Sequence, residues 1–190
     1  MQNRNHFAAL LTDGTQVLIR PLTHDDKALE KDFILRLSPE SRRFRFLATI
    51  GSPSDQLLDK LTDLKAGTEA AFVAVIPGKS SLEIGVARVC VVGAGRAEFA
   101  VAVSDEWQRR GLGTLLAQCA FEAARKMGVH TLFSIEAAAN LGMREWATSI
   151  GFERASNPVD ATEVIQTMTL ANFDKRHRQV PHSQASIQHA

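Results

Sequence analysis

The stretch Gln108-Arg109-Arg110-Gly111-Leu112-Gly113-Thr114 decides how this 190-residue chain is interpreted. It lies between an apolar run that ends near Val103 and a segment with apolar residues at helical spacing. Successive backbone amides at such a strand-to-helix turn can chelate a pyrophosphate, with the helix dipole behind them. The two glycines would allow close approach of a ligand, and Arg109 and Arg110 add cationic donors. The stretch therefore predicts a phosphate-binding loop, with an ordinary capped helix as the alternative.

The order of apolar and helical patterns around this loop predicts a mixed α/β (α+β) fold. Strands are expected at residues 16–20, 70–76, 82–92, 97–103, 131–135 and 164–170, and helices at 23–37, 54–65, 111–128 and 141–150. Residues 41–46 fit either a short helix or a loop. The order β α α β β β α β α β predicts a mostly antiparallel central sheet flanked by helices. Residues 1–173 are expected to form one domain and residues 174–190 a disordered tail.

Composition and charge exclude several classes of protein. With 45% hydrophobic and 23% charged residues, the chain is typical of globular domains and not of collagen-like or disordered proteins. The 22 Lys and Arg against 21 Asp and Glu give a net charge of +1, which provides no electrostatic reason to expect nucleic-acid or membrane-surface binding. No segment approaches the roughly 20 apolar residues of a membrane span, and the apolar stretch at residues 7–11 is too short for a signal peptide.

The cysteine and histidine patterns bear on compartment and metal binding. Cys90 and Cys119 lie inside apolar runs without metal-type spacing, which predicts buried thiols in a reducing compartment and hence a cytoplasmic protein. The six histidines include no HExxH pattern and no pair at i, i+4 spacing. We therefore expect no metal site.

The residues around the loop resemble the GNAT acetyltransferase superfamily, whose acetyl-CoA motif is a strand followed by Q/R-x-x-G-x-G/A. The resemblance covers about residues 15 to 172 and includes Ile19-Arg20-Pro21 near the start and Asn140 followed by Gly151-Phe152 near the end. More narrowly, LSPESRRFRF at residues 37–46 and AEFAVAV at residues 97–103 resemble the acetyltransferase domain of bacterial Pat-type protein lysine acetyltransferases.

The resemblance implies a binding site for acetyl-CoA as cosubstrate. The pyrophosphate would be held by Gln108, Arg109, Arg110, Gly111, Leu112, Gly113 and Thr114. The main chain of Val101, Ala102 and Val103 would hold the pantetheine arm as if it were an added strand. Asn140 would contact the pantetheine or phosphate region, with an ordinary helix N-cap as the alternative. Met143 and Arg144 would flank the cofactor.

Transfer of an acetyl group to an amine requires a base, because a lysine with a pKa near 10.4 is neutral in only about one of 2,500 molecules at pH 7. Glu98 is the candidate for this general base. It shares a strand face with Ala100 and Ala102, whose small side chains would leave room for an acceptor, and the resemblance points to the same residue. The alternatives for Glu98 are a solvated carboxylate on an edge strand and an ion pair with Arg96.

Two further features refine the chemistry. Many GNAT enzymes protonate the leaving thiolate with a Tyr, and in register that position is Ala147; the chain contains no Tyr, so water would supply this proton. Arg42, Arg43 and Arg45 form the densest positive cluster outside the tail. This cluster would receive an acidic acceptor surface or a CoA phosphate, or it is simply a solvated basic face.

The sequence therefore predicts an acetyl-CoA-dependent N-acetyltransferase in which a primary amine, first of all a protein lysine, attacks the bound thioester directly. The alternatives are a transferase for a small amine such as a polyamine, an amino acid or an aminoglycoside, and a non-catalytic acyl-CoA sensor. The expected partners are acetyl-CoA and the amine acceptor, with a homodimer allowed and with no nucleic acid, membrane or metal.

Overall fold

The computed structural model describes residues 7–177, apart from the side chains of residues 79–81 and 174–177. Eight strands form one sheet in the order β1-β2-β3-β4-β5-β6-β8-β7. They are β1 (Phe7–Leu10), β2 (Gln16–Pro21), β3 (Glu69–Ile76), β4 (Lys79–Gly93), β5 (Arg96–Val103), β6 (Thr131–Ala137), β7 (Glu153–Ser156) and β8 (Glu163–Thr169). Every neighbouring pair is antiparallel except β5 and β6. The predicted fold class is confirmed.

Six α-helices flank the sheet in the described part of the chain, which also contains short 3₁₀ helices at His24–Asp26 and Asp105–Trp107. They are α1 (Lys27–Arg36), α2 (Pro39–Phe46), α3 (Asp55–Thr62), α4 (Leu112–Lys126), α5 (Leu141–Ile150) and α6 (Leu170–His177). Ser38 and Ser54 cap the amino ends of α2 and α3 by accepting a backbone N–H, and Pro39 occupies the first turn of α2. Local sequence thus accounts for where these two helices begin.

Hydrophobic cores lie on both sides of the sheet. On one side α4 packs against β3, β4 and β5, and the ring of Phe99 meets that of Phe121 edge to face at a centroid distance of 4.9 Å. On the other side Phe33 and Ile34 of α1 and Leu58 of α3 pack against Val73 and Val86 of the sheet. Strand alternation sends neighbouring residues of β5 into opposite cores, because Phe99 and Val101 join the α4 side and Ala102 the other.

The structure differs from the sequence prediction mainly at the edges. Strand β1 lies where no element was predicted, and β7 is a further edge strand whose four residues are all exposed. Residues 41–46 belong to helix α2. The prediction of a disordered tail from residue 174 is wrong for residues 174–177, which continue α6; residues 178–190 lie outside the described residues. Cys119 is buried as predicted, whereas Cys90 is only half-buried.

No helix within residues 7–177 is long and apolar enough to cross a membrane.

Candidate active site

The two parallel strands β5 and β6 separate soon after they meet. They pair at Arg96 with Thr131, at Ala97 with Leu132 and at Glu98 with Phe133, and beyond these positions they share no register. Strand β5 continues to Val103 paired only with β4, and β6 continues to Ala137 paired only with β8. Each strand therefore presents an unpaired backbone edge to a wedge-shaped gap, which we call the cleft.

The predicted phosphate loop lies at the wide end of the cleft and has an unusual backbone. Arg109 and Gly111 both have positive φ, of 59° and 83°, and Gly111 is the residue from which α4 begins. The backbone amides of residues 109–113 donate to no acceptor in the described part of the chain. Alternating backbone conformation with free amides at a helix amino end is the arrangement that binds phosphate oxygens.

The loop is supported by the hairpin between β1 and β2. The backbone N–H of Thr12 donates to the carbonyl of Arg110 at 3.0 Å, and the Arg110 guanidinium forms a 2.9 Å ion pair with Asp13. Arg110 also lies over the ring of Trp107. The charge of Arg110 is thus paired within the protein. Arg109 is exposed and forms no ion pair in the described chain. Sequence reasoning did not find the supporting role of Thr12 and Asp13.

The remaining loop residues contribute through their backbone or through packing. The Leu112 side chain is buried in the core, so only its main chain can meet a ligand. The indole N–H of Trp146 in α5 donates to the Thr114 hydroxyl at 3.1 Å, which joins α5 to the first turn of α4. A Cβ on Gly113 would lie 3.7 Å from the Trp146 ring, so the glycine keeps the surface beside this ring open.

Residues 101–103 of β5 line the cleft with their free backbone edge. The side chains of Val101 and Val103 pack in the α4-side core and that of Ala102 on the opposite side, which leaves the main chain to meet a ligand. The side-chain amide of Gln108 donates to the carbonyl of Val103 at 3.1 Å. Gln108 therefore ties the loop to the end of β5.

Asn140 caps helix α5 by accepting the backbone N–H of Met143 at 3.2 Å, which is the alternative raised for it from the sequence. Met143 is half-buried in the first turn of the same helix. Arg144 donates to the carbonyl of Ala138 at 2.7 Å and so fixes the turn between β6 and α5. The structure gives these residues local structural contacts; a contact with cofactor remains a prediction.

Glu98 lies at the last paired position of β5, at the narrow end of the cleft. Its strand is the fifth of eight, so the alternative of a carboxylate on an edge strand is wrong. The alternative pairing with Arg96 is also wrong, because the Arg96 guanidinium lies over the ring of Phe133 and forms no ion pair with Glu98. The Glu98 side chain is exposed and open to an acceptor.

The three arginines of α2 do not form the basic surface that the sequence suggested. Arg42 donates to the carbonyls of Leu35, Leu37 and Gly51 at 3.0, 3.1 and 2.6 Å. It therefore connects the segment before α2 with the segment after it. Arg43 is the exposed member. Burial lowers the pKa of Arg45, although the charges of Glu30, Glu136 and Glu98 act in the opposite direction. Arg45 thus faces carboxyl groups within the protein.

Glu136 of β6 is a buried carboxyl that sequence reasoning missed. Its side chain is only 7% exposed, and burial raises its pKa to about 7 despite the opposing effects of the Ser134 hydroxyl and the Arg45 charge. The signal was present as one acidic residue in the apolar run 131–137, but periodicity alone does not indicate which way such a residue faces.

A pair of buried carboxyls belongs to α1 and β4, and the charge of Arg45 acts on one of them, Glu30. Glu30 of α1 and Glu83 of β4 are 1% and 0% exposed, and burial raises the pKa of both, that of Glu83 well above its ordinary value. Burial and the mutual repulsion of the two carboxyls both favour the protonated form of the pair. Nearby, Arg20 and Asp26 form a bidentate ion pair with distances of 2.7 and 2.6 Å.

A split parallel strand pair, with a loop of unpaired amides at one end and an exposed carboxylate at the other, suits a cofactor-dependent acyltransferase. Residues 16–153 match the family model described as "Acetyltransferase (GNAT) domain", and the chain belongs to this family of N-acetyltransferases. The chain is 38% identical over 168 residues to "Acetyltransferase PA5475" of Pseudomonas aeruginosa, with 87% of this chain and 90% of the relative covered.

Solved structures share the fold. The GNAT domain of S. lividans PAT aligns with a TM-score of 0.79 at 24% identity and covers 86% of this chain and 96% of that chain. The PaiA N-acetyltransferase of Thermoplasma acidophilum, solved in complex with coenzyme A, aligns with a TM-score of 0.61 at 15% identity and covers 80% of this chain and 98% of that chain.

The residues present fit the acetyl-CoA that this family uses. The free amides of residues 109–113 and the unpaired Arg109 suit the pyrophosphate, and the open edge of β5 suits an amide-bearing arm. A cofactor lying along β5 would run from this loop toward Glu98.

Proposed function

We propose that this protein transfers the acetyl group of acetyl-CoA to the side-chain amine of a protein lysine, with Glu98 as general base. The observation that carries the proposal is the position of Glu98 at the narrow end of the cleft, at the opposite end of β5 from the phosphate loop. A donor held along β5 brings its thioester toward this carboxylate. The exposure of Glu98 leaves access from the solvent side for a side chain of another protein.

The acceptor class is supported by the residues near Glu98 and by the structural likeness. Ala100 and Ala102 follow Glu98 on the same face of β5 and leave space for a slender alkyl chain. The structural match to the GNAT domain of S. lividans PAT supports the fold. The sequence resemblance to Pat-type enzymes favours a protein lysine as the acceptor. The free thiols of Cys90 and Cys119 support a cytoplasmic location.

The reaction follows direct attack. Glu98, directly or through a water, takes a proton from the bound ammonium, and the neutral amine then attacks the thioester carbonyl. Backbone groups on the open edge of β5 polarise that carbonyl. The carbon–sulfur bond then breaks, the nitrogen releases its second proton to solvent, and CoA leaves as its thiolate. Water protonates this thiolate, because the position of the usual Tyr is the buried Ala147. The products are the acetylated amine and CoA.

The test is to incubate a cytoplasmic extract with isotopically labelled acetyl-CoA and the protein, and to identify the labelled molecules by mass spectrometry. We compare wild type with Glu98→Gln, and use Glu153→Gln on the exposed strand β7 as the charge-matched control. We expect label on specific protein lysines with wild type and with the control. We expect a fall of about 100-fold or more with Glu98→Gln, while isothermal titration calorimetry shows unchanged acetyl-CoA binding.

Label found only on small amines would show that the acceptor is a small amine and not a protein lysine. Full activity of Glu98→Gln would show that Glu98 is not the base.

A further inference from the structure

The side chain of Glu98 belongs to a row that crosses the sheet from strand to strand. Glu98 of β5 is directly opposite Cys90 of β4, and Cys90 is directly opposite Glu69 of β3. Directly opposite residues of antiparallel strands lie on the same face of the sheet, so Glu69 shares the face of Glu98. Neighbouring strands lie about 4.8 Å apart, so the Cα atoms of Glu69 and Glu98 are about 10 Å apart.

The carboxylate of Glu69 is held in position within this row. Its Oε2 accepts the backbone N–H of Lys65 at 3.3 Å, and its Oε1 accepts the thiol of Cys90, whose sulfur lies 3.8 Å away. Burial raises the pKa of Cys90, and the charges of Glu69 and Glu98 add to this effect, so a neutral thiol separates the two carboxylates. Strand β2 pairs with β3 only from Phe72 onward, so its pairing does not cover Glu69.

Neither carboxylate is neutralised by contact with a cation of the protein. Among the described side chains, no cation lies within 4 Å of Glu69 or Glu98. Arg88 lies two residues from Cys90 on the same face of β4, but its guanidinium donates to two carbonyls in the last turn of α3. The guanidinium of Arg96 lies over an aromatic ring of β6. Both carboxylates are therefore available to a cation of the acceptor.

We infer that Glu69 determines acceptor specificity by binding a second cation of the acceptor, about 10 Å from the amine that Glu98 deprotonates. The inference rests on the proposed function and narrows its acceptor to a lysine that has another basic residue nearby in the same chain. Arginine suits the position best, because a guanidinium donates to both oxygens of a carboxylate.

The distance limits where the second basic residue stands in the acceptor sequence. In an extended chain, residues two and four positions apart lie on the same face, about 7 and 13 Å apart. In a polyproline II segment, residues three positions apart lie on the same side, about 9 Å apart. Adjacent residues of an extended chain point to opposite faces. A basic residue two to four positions from the target lysine therefore reaches Glu69.

The same row provides a matched control. On the other side of Glu98 it continues through Phe133 of β6 and Thr167 of β8 to Glu153 of β7. Glu153 lies three strands, or about 14 Å, from Glu98 and is exposed. Glu153→Gln thus removes the same charge from the same row on the side away from Glu69.

The test uses the full chain and synthetic peptides that carry one lysine in a background of glycine, serine and alanine, with both ends blocked. An arginine is placed at each of one to six positions from the lysine, on either side. We measure kcat and KM at saturating acetyl-CoA for wild type, Glu69→Gln and Glu153→Gln. For wild type we expect kcat/KM to be about tenfold higher, mainly through KM, when the arginine lies two to four positions away.

Glu69→Gln should lose this preference and should acetylate the peptide without arginine within about twofold of the wild-type rate. Its melting temperature and its Kd for acetyl-CoA should be unchanged, and Glu153→Gln should keep the wild-type preference. Glu69→Arg should reverse the preference, so that a glutamate at the favoured position is better than an arginine. A structural role of Glu69 would not produce this reversal.

The outcomes also distinguish the inference from the proposed function. Equal kcat/KM values for all peptides with wild type, or a preference that Glu69→Gln retains, overturns the inference and leaves the proposed function standing. A wild type that acetylates no peptide overturns both.

Discussion

Asp105 accepts hydrogen bonds from both the backbone N–H and the hydroxyl of Ser38, at 3.0 and 2.7 Å. Asp105 lies three residues before the phosphate loop, and Ser38 is the N-cap of α2, the helix that carries Arg45 near its other end. The Ser41 hydroxyl donates to the same carboxylate at 2.7 Å. The amino end of α2 therefore holds the segment that leads into the phosphate loop, and the other end of the same short helix carries Arg45.

Replacing Asp105 by Ala should weaken this connection. Burial opposes ionisation of Asp105, but the hydrogen bonds from Ser38 and Ser41 outweigh it and lower the pKa of the carboxyl, so the contact persists to acidic pH. We expect a melting temperature lower by a few degrees and acetyl-CoA binding weaker by about three- to tenfold, measured by thermal unfolding and calorimetry. The neighbouring Glu106→Gln is the control; equal effects of the two variants would contradict the role of the contact.

Replacing Arg45 by Met should raise the pKa of Glu136. Burial raises this pKa to about 7 and the Arg45 charge opposes that effect, so removal of the charge should move the midpoint toward higher pH. Arg45→Lys keeps the charge and should keep the midpoint closer to that of wild type. The midpoint is measured by carbon NMR of the side-chain carboxyls, with Glu136→Gln to assign the signal; the same midpoint in wild type and Arg45→Met would show that Arg45 does not act on Glu136.

Replacing Gly111 tests the loop. Its φ of 83° costs an L-residue about 1 to 2 kcal/mol, and a Cβ there would also lie 3.3 Å from the Thr12 methyl. Gly111→Ala should therefore weaken acetyl-CoA binding, and Gly111→Asp should abolish it by adding negative charge beside the pyrophosphate. Gly142→Ala is the matched control, because a Cβ at that glycine meets nothing within 4 Å. Unchanged Kd values by calorimetry would rule out the assigned phosphate site.

Replacing Glu83 by Gln should change how stability depends on pH. Because burial raises the pKa of Glu83 well above 4.5, the folded state keeps a proton that the unfolded chain releases above that pH. Wild-type stability from this group is complete below about pH 4.5 and is lost as pH rises through the folded-state pKa.

Glu83→Gln removes that loss, so its melting temperature should exceed that of wild type more at pH 8 than at pH 5. The exposed Glu122→Gln on α4 should show no such difference. Parallel curves for wild type and Glu83→Gln in thermal unfolding would contradict a protonated Glu83.

Those parts of the fold and site that rest on long periodic patterns were predictable from sequence. Helix α4 has its apolar stripe and its loop glycines in one continuous stretch, and the position of Glu98 follows from alternation along β5. Strand β1 was missed because its residues are mostly exposed, with Leu10 at 69%, so it lacks a buried face to create a pattern. The surroundings of Arg45 and Glu136 depend on long-range packing of α2 against the sheet, which residue spacing does not encode.

The three-residue pairing of β5 with β6 has a consequence for where the sheet opens in local unfolding. It is the sole strand pairing between β1–β5 and β6–β8 in the described sheet. Beyond its three paired positions, β5 and β6 share no register. A cofactor that binds along β5 would lie between these two parts of the sheet and contact both of them. Hydrogen exchange of the backbone amides of β5 and β6 should therefore slow when acetyl-CoA binds, because the ligand then takes the place of a strand between them.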